Sequence, residues 1–338
     1  MTRTMRRAVL TAVRHFDLET VAVPAAEPGH VVMRVLASGI CGSDLHTDLG
    51  ENPVIRTPVA PGHEFSGVVA ATGEGVDPGL EGRVVAARPS VPCGACRHCR
   101  AGREHLCDDM KFVGGLSYDG AFAEFVTLPA SCLVPVSSDH SAAELAFAEP
   151  IAVAVHAAAL PQEIRGRDVL VIGCGTIGLL VARVAALRGA RVWATDLVDA
   201  KVRLAVDFGA APARTAGGEG PARLETGDGT DFDVVFDCVG LNATLAVALR
   251  SVRKGGEVVL VGVPVEPIVL DPVDVLLGER RLTGCYIYTN GDFLEAVDLL
   301  LDRSVDVRPL ISARMPLEEI GRAFEIGVTG NERVKFVL

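Results

Sequence analysis

The sequence predicts an α/β protein in which a small irregular β-barrel precedes a doubly wound parallel sheet. Two observations carry that expectation. Up to Pro135, short β-branched runs alternate with Gly and Pro at the density of an irregular barrel. From Gly166 onward, apolar β runs alternate with helix-periodic segments, as in parallel strands joined by crossover helices.

The length of 338 residues suggests about two domains. With 49% hydrophobic and 22% charged residues the chain is globular, not disordered. A net charge of -11 and scattered Arg and Lys argue against nucleic acid and anionic membrane as partners. The start is basic, but its apolar run spans only residues 8–13, too short for a signal-peptide core. No stretch reaches the roughly eighteen uncharged apolar residues of a membrane span. The nine cysteines are an odd number, with four concentrated in one loop instead of being spread as a framework, so a reduced, cytoplasmic protein is expected.

In the barrel portion, strands are expected within residues 6–35 and at 66–71, 83–87, 122–128 and 132–135. Residues 41–64 interrupt them with Cys41-Gly42-Ser43-Asp44-Leu45-His46 and, after a proline-broken loop, Pro61-Gly62-His63-Glu64. A thiolate, an imidazole and a carboxylate suit a borderline-soft divalent ion, zinc above all, and three mixed ligands leave a position open. Taken alone, the stretch also fits a buried Cys and a satisfied His in unrelated loops. Next come Cys93, Cys96 and Cys99, with Cys107 eight residues further on. Four sulfurs so spaced converge on a tetrahedral zinc; an iron–sulfur run would place the fourth Cys closer and follow it with Pro. Arg97, Arg100 and Arg103 are positioned to offset the surplus negative charge. A helix-compatible run from Ala142 leads to Ala148-Glu149-Pro150, where Glu149 is either a helix-end carboxylate or an acidic neighbour of the metal.

In the second portion, a strand at 168–172 runs into Gly173-Cys174-Gly175-Thr176-Ile177-Gly178 and then a helical segment. These glycines match the dinucleotide fingerprint, and a second strand at 191–195 ends at Asp196, eighteen residues past Gly178. An acid there binds ribose hydroxyls and repels a 2′-phosphate, and Leu197 offers no Arg, so NAD is preferred to NADP. Further strands are expected at 232–236, 257–261 and 282–288, helices at 241–252 and 292–301, a surface loop at 216–230, and a return to a sheet at 334–338. The candidate cofactor contacts are Gly173, Gly175, Thr176, Ile177, Gly178, Asp196 and Lys201, with Cys238, Val261, Gly262 and Val263 at the C-terminal ends of later strands.

Taken in order, Gly39-Ile40-Cys41-Gly42-Ser43-Asp44-Leu45-His46, Pro61-Gly62-His63-Glu64, the four-cysteine lobe, Ala148-Glu149-Pro150 and the glycine fingerprint resemble the zinc-dependent medium-chain dehydrogenases along nearly the whole chain. The sorbitol, threonine and idonate dehydrogenase branch is the nearest in pattern. The resemblance implies a GroES-like catalytic domain of residues 1–150 and 289–338, around a Rossmann domain of residues 151–288. It implies two zinc ions per chain, one catalytic on Cys41, His63 and Glu64 with Glu149 binding directly or through water, and one structural on the four cysteines. Ser43 would take the substrate hydroxyl proton, His46 would pass it outward through the cofactor ribose, and Asp44 would fix an imidazole. Relatives are dimers or tetramers, so a homodimer or homotetramer is implied.

Thr47, Phe112 and Tyr288 are the expected substrate-pocket residues. Thr47 stands where sorbitol dehydrogenases carry Tyr, and Tyr288 where sorbitol and idonate enzymes carry Arg. The expected activity is hydride transfer between a secondary alcohol of a polyol, sugar or cyclitol and NAD. A sugar-acid dehydrogenase of the L-idonate type is the alternative, supported by Asp109-Met110-Lys111-Phe112. A non-catalytic zinc- and nucleotide-binding relative is the rival of another class, and it would commonly have lost metal ligands that are all present here.

Overall fold

The computed structural model describes residues 3–115, 117–215, 223–329 and 335–337. The chain divides into two compact units, Met1–Ala152 with Thr289–Leu338, and Val153–Tyr288.

The first unit is built on a seven-stranded sheet. Its hydrogen-bonded order runs Leu133–Val136, Val84–Ala87, Glu64–Thr72, His30–Gly39, Lys335–Val337 and Ile311–Arg314, and Phe125–Pro129 also pairs with His30–Gly39. All neighbours are antiparallel except the last two strands of that order, which are parallel. Two register shifts, between Val32 and Met33 and between Val35 and Ala37, bend the central pair. Val31, Met33, Phe65, Val69, Val85 and Leu128 form the buried core of this sheet. Alternating side chains from several strands thus meet on one face, which is what period-two patterning produces. The expected return of the chain to a sheet at its end is the strand Lys335–Val337; residues 334 and 338 lie outside the described residues.

The second unit holds a six-stranded parallel sheet. Its order is Ala210–Pro212, Arg191–Thr195, Asp168–Ile172, Phe232–Asp237, Val252–Leu260 and Arg281–Gly284. Sequence order runs outward in one direction from Asp168–Ile172 and then in the other from Phe232–Asp237. The switch point between those two strands is where such sheets open a crevice for a ligand.

Three expectations are corrected. Of the loop expected at 216–230, residues 216–222 lie outside the described residues, while Leu224–Glu225 pairs as a short strand with Arg214–Thr215. The anchor is Leu224, which packs in the core and donates its N–H to Ser251 Oγ at 2.9 Å. The strand expected at 282–288 is Arg281–Gly284, because its neighbour stops at Leu260 and offers no ladder beyond Gly284. Glu149 begins rather than ends a helix, Ala148–Ala159; Pro150 is tolerated in the first turn, where its missing N–H has no intrahelical partner to lose. The apolar stretch Ala142–Ala159 is long enough to cross a membrane by length and composition, but 83% of it is buried inside the protein, which makes it a core element.

Candidate active site

The register of the first sheet brings the metal-ligand candidates together. Gly39 at the end of one strand pairs with Glu64 at the start of the next, so Cys41 and His63 project from neighbouring strand ends. Ligand atoms of Cys41, His63 and Glu64 all lie within 4.8 Å of one another. Gly62 has φ +105°, and a Cβ there would stand 2.6 Å from Phe122 N, so the turn into His63 accepts glycine alone. Cys41 caps the helix Gly42–Asp48, and Asp44 in its first turn accepts the Cys41 N–H through Oδ2 at 2.9 Å. The other oxygen, Oδ1, lies 3.4 Å from His63 Nδ1, within ion-pair range but outside hydrogen-bond geometry. One buried carboxylate therefore orients two of the three candidate ligands.

The charge balance favours a cation. Burial alone would push the His63 imidazolium down, but Asp44 and then Cys41 outweigh it and hold His63 well above its ordinary range. The surroundings thus stabilise positive charge at this point, and a divalent ion on a thiolate, an imidazole and a carboxylate supplies it. The donor set matches zinc with a position left for water or substrate.

The four cysteines converge as well, with their sulfurs within 4.8 Å of one another. Individual Sγ···Sγ separations are 3.5 Å for Cys96–Cys99 and 4.0 Å for Cys93–Cys99 and Cys96–Cys107. Sulfurs on a tetrahedral zinc at ~2.3 Å stand about 3.8 Å apart, so the lobe fits the ion without rearrangement. Backbone N–H groups point at the sulfurs: Cys93 N to Cys107 at 3.2 Å, Cys96 N to Cys93 at 3.3 Å and Cys99 N to Cys96 at 3.5 Å. The Cys99 N–H is the main cause that brings the Cys96 thiol down to about 6, whereas desolvation and neighbouring sulfurs push Cys99 up to about 12. Four thiolates held this close repel one another, and a divalent ion between them would offset that charge. Arg97, one of the arginines expected to offset their charge, donates through Nε to His98 Nε2 at 3.2 Å.

In the second unit, Ile172, Thr195 and Asp237 stand level across the sheet, as do Asp237 and Leu260. Gly173, Asp196, Cys238 and Val261 each follow one of these residues, so the sequence candidates lie along one sheet edge. A Cβ on Gly178 would lie 1.8 Å from Gly173 O, which fixes the close packing of helix Thr176–Leu187 on its strand. A Cβ on Gly175, the N-cap of that helix, would meet nothing within 4 Å. The backbone there is open to a phosphate at a helix N-terminus. Asp196 accepts Cys174 N–H at 2.7 Å and Val198 N–H at 2.9 Å, which aims its carboxylate beside the glycine turn. Lys201 lies in the helix Asp199–Asp207, whose first turn follows directly.

Residues 27–138 match the alcohol dehydrogenase GroES-like domain, and residues 176–302 match the zinc-binding dehydrogenase domain. The chain is 35% identical over 324 residues to the L-threonine 3-dehydrogenase of Saccharopolyspora erythraea, covering 93% of each chain. The chain belongs to the zinc-dependent medium-chain dehydrogenase family. The L-idonate 5-dehydrogenase of Vitis vinifera is 31% identical over 340 residues, covering 97% of this chain and 93% of that one. The solved structure of a Sinorhizobium meliloti 1021 protein bound to NADP matches with a TM-score of 0.88 and 30% identity over 99% of each chain. As in the family, the fold joins a GroES-like domain to a Rossmann-type parallel sheet, and the enzyme is an oxidoreductase that works with zinc and a nicotinamide cofactor.

Among the remaining candidates of this dehydrogenase, Phe112 lies at the metal pocket, with its ring centroid 5.7 Å from that of His63. Ser43 and His46 share the helix Gly42–Asp48 at a spacing of three, which places them on one face. Glu149 is buried in the first turn of Ala148–Ala159, and its carboxylate is not among the three ligand atoms that converge. Two of the pocket candidates are buried, as His63 and Glu64 are. Thr47 donates its hydroxyl to Ser43 O at 2.8 Å and accepts from Asn52 Nδ2 at 3.0 Å, which ties it to its own helix and the following turn. Tyr288 is 1% exposed and closes the second unit. Sequence reasoning missed Asn52 and Glu51, whose partners on the preceding helix appear only once the intervening turn folds back; no motif marks them.

Proposed function

We propose that the chain is a zinc-dependent dehydrogenase moving hydride between a secondary alcohol of a neutral polyol, sugar or cyclitol and NAD. The observation that carries the reading is the convergence of Cys41, His63 and Glu64, with Asp44 behind the imidazole and the apolar ring of Phe112 beside it. Met1–Ala152 with Thr289–Leu338 is assigned as the catalytic domain and Val153–Tyr288 as the cofactor domain. Two zinc ions per chain are proposed: a catalytic ion on Cys41, His63 and Glu64, and a structural ion on the four cysteines. The catalytic zinc supplies Lewis acidity that lowers the pKa of an alcohol hydroxyl. The chain's own residues do the rest. Cys41, His63 and Glu64 would hold the ion, Asp44 orients Cys41 and His63, and Glu149 would approach the ion directly or through its water. Ser43 accepts the hydroxyl proton, and His46 on the same helix face hands it to solvent. Asp196 accepts from the ribose hydroxyls, which favours NAD, while the glycine turn and helix N-terminus receive the pyrophosphate.

A specific observation favours the sugar-acid alternative. Arg88 is 6% exposed; its Nη1 donates to Ser90 Oγ at 3.3 Å, and its Nε has no hydrogen-bond partner among the described residues. Ser90 pairs in register with Phe112, beside the metal pocket. A carboxylate on the substrate is one anion that a buried guanidinium would accept. Lys111 does not play that part, since it is exposed and alternates with Phe112 along the strand Lys111–Val113.

A cytoplasmic homo-oligomer is proposed. Its support is the edge strand Arg281–Gly284 with Leu282, Tyr286, Val273, Leu276 and Leu277 exposed around it, an apolar edge that a second copy would cover. The deciding experiment is NADH formation from NAD with a panel of polyols, cyclitols and sugar acids, with and without chelator, in wild type and Arg88→Leu. Turnover of neutral diols independent of Arg88 supports the first reading. Turnover of acids alone, lost in Arg88→Leu, replaces it with the second; no chelator-sensitive turnover on any substrate sinks both.

A further inference from the structure

The turn after the helix Gly42–Asp48 returns to that helix and places an acidic side chain on His46. Glu51 Oε2 lies 3.1 Å from His46 Nδ1. The arrangement is held by the backbone too, since the N–H groups of Glu51 and Asn52 both donate to His46 O, at 2.8 and 3.1 Å. Asn52 is buried and staples the turn down. Its Nδ2 donates to Thr47 Oγ1 at 3.0 Å and to Ser43 O at 3.3 Å, and its Oδ1 accepts the N–H groups of Val54 and Ile55, each at 2.9 Å. Glu51 therefore stands beside the imidazole on a braced turn.

An ionised carboxylate only accepts hydrogen bonds. A neutral His46 facing Glu51 must then carry its hydrogen on Nδ1, which leaves the lone pair on Nε2. We propose that Glu51 is a positioning residue that locks His46 as the Nδ1–H tautomer, so that Nε2 is the atom receiving the proton; this rests on the reading of His46 as the outward end of the proton path. The step balances. The Nε2 lone pair takes the proton to give an imidazolium with both N–H groups, Nδ1–H stays bonded to Glu51, and release from Nε2 to solvent restores the neutral ring. The side chains of His46 and Glu51 are 41% and 46% exposed, so water screens their charges. Orientation, more than charge, is what the carboxylate contributes.

The test reads the tautomer directly by two-bond nitrogen–proton NMR on protein labelled at histidine nitrogen, with His46 assigned from the signal lost in His46→Ala. Wild type shows Nδ1–H. Glu51→Ala shifts the neutral ring to Nε2–H and lowers kcat by about tenfold, less than the roughly hundredfold or more that loss of a general base brings. KM for NAD stays the same. Glu51→Gln, which retains an acceptor, recovers the Nδ1–H ring and most of the lost turnover. If His46→Ala slows turnover but Glu51→Ala still shows Nδ1–H, the assignment of Glu51 is overturned alone. Full turnover in His46→Ala overturns the reading of His46 and the role of Glu51 with it.

Discussion

Asp44→Asn isolates the part of the site that geometry defines most sharply. Asp44 is buried, accepts the Cys41 N–H at 2.9 Å and stands 3.4 Å from His63 Nδ1. Asparagine keeps an acceptor for the Cys41 N–H, so the helix cap survives. Toward His63, however, it replaces a carboxylate with an uncharged amide whose NH2 would meet the ring N–H donor to donor. Loss of the group behind a metal-bound imidazole typically lowers metal affinity or activity by about 10–100-fold, which is about 1.4–2.7 kcal/mol. Zinc competition against a chromophoric chelator should resolve two classes of metal in wild type, with the class missing in Cys41→Ser belonging to this site. In Asp44→Asn that class should weaken by the stated factor while the other is unchanged. Wild-type affinity for that class in Asp44→Asn would refute the idea that one carboxylate organises the ligands.

Three further outcomes are expected. Cys99→Ser should reduce zinc from two ions per chain to one and lower unfolding stability by several kcal/mol, a fraction of the roughly 10–16 kcal/mol that a structural zinc can supply; metal analysis with thermal melts checks it, and two retained zincs would contradict the lobe assignment. Asp196→Ser with Leu197→Arg should shift the ratio of NADP to NAD use by about 10–100-fold, the equivalent of one charge-assisted hydrogen bond; equal use of both cofactors by the unmodified enzyme would defeat the role given to Asp196. In protein stripped of the catalytic metal, His63 is held above its ordinary value of 6.5. Its stabilising contribution is therefore complete below that value and is lost as pH rises through the raised native one. Melting temperatures of the stripped protein should fall with rising pH over that window, and less so in Asp44→Asn; parallel slopes would exclude Asp44 as the cause.

The sequence by itself determined the parts whose chemistry is local in the chain. Cys93, Cys96, Cys99 and Cys107 could be read as one site because short spacing confines them to one lobe, and the glycine turn with Asp196 could be read because strand, turn and helix follow one another directly. Cys41, His63 and Glu64 were legible as residue types, yet their convergence depends on the pairing of Gly39 with Glu64, which is a property of the sheet. Tertiary structure alone decided the rest. Thr47 and Tyr288 were placed by position alone, and only packing gives Thr47 its partner Ser43 O and buries Tyr288. Glu51 carries no motif at all, and only the folding back of its turn onto the carbonyl of His46 gives its carboxylate a partner. Spacing fixes what neighbours in the chain can reach. Which way a side chain faces, and what meets it there, is set by register and burial, which sum contributions from residues far apart in the sequence.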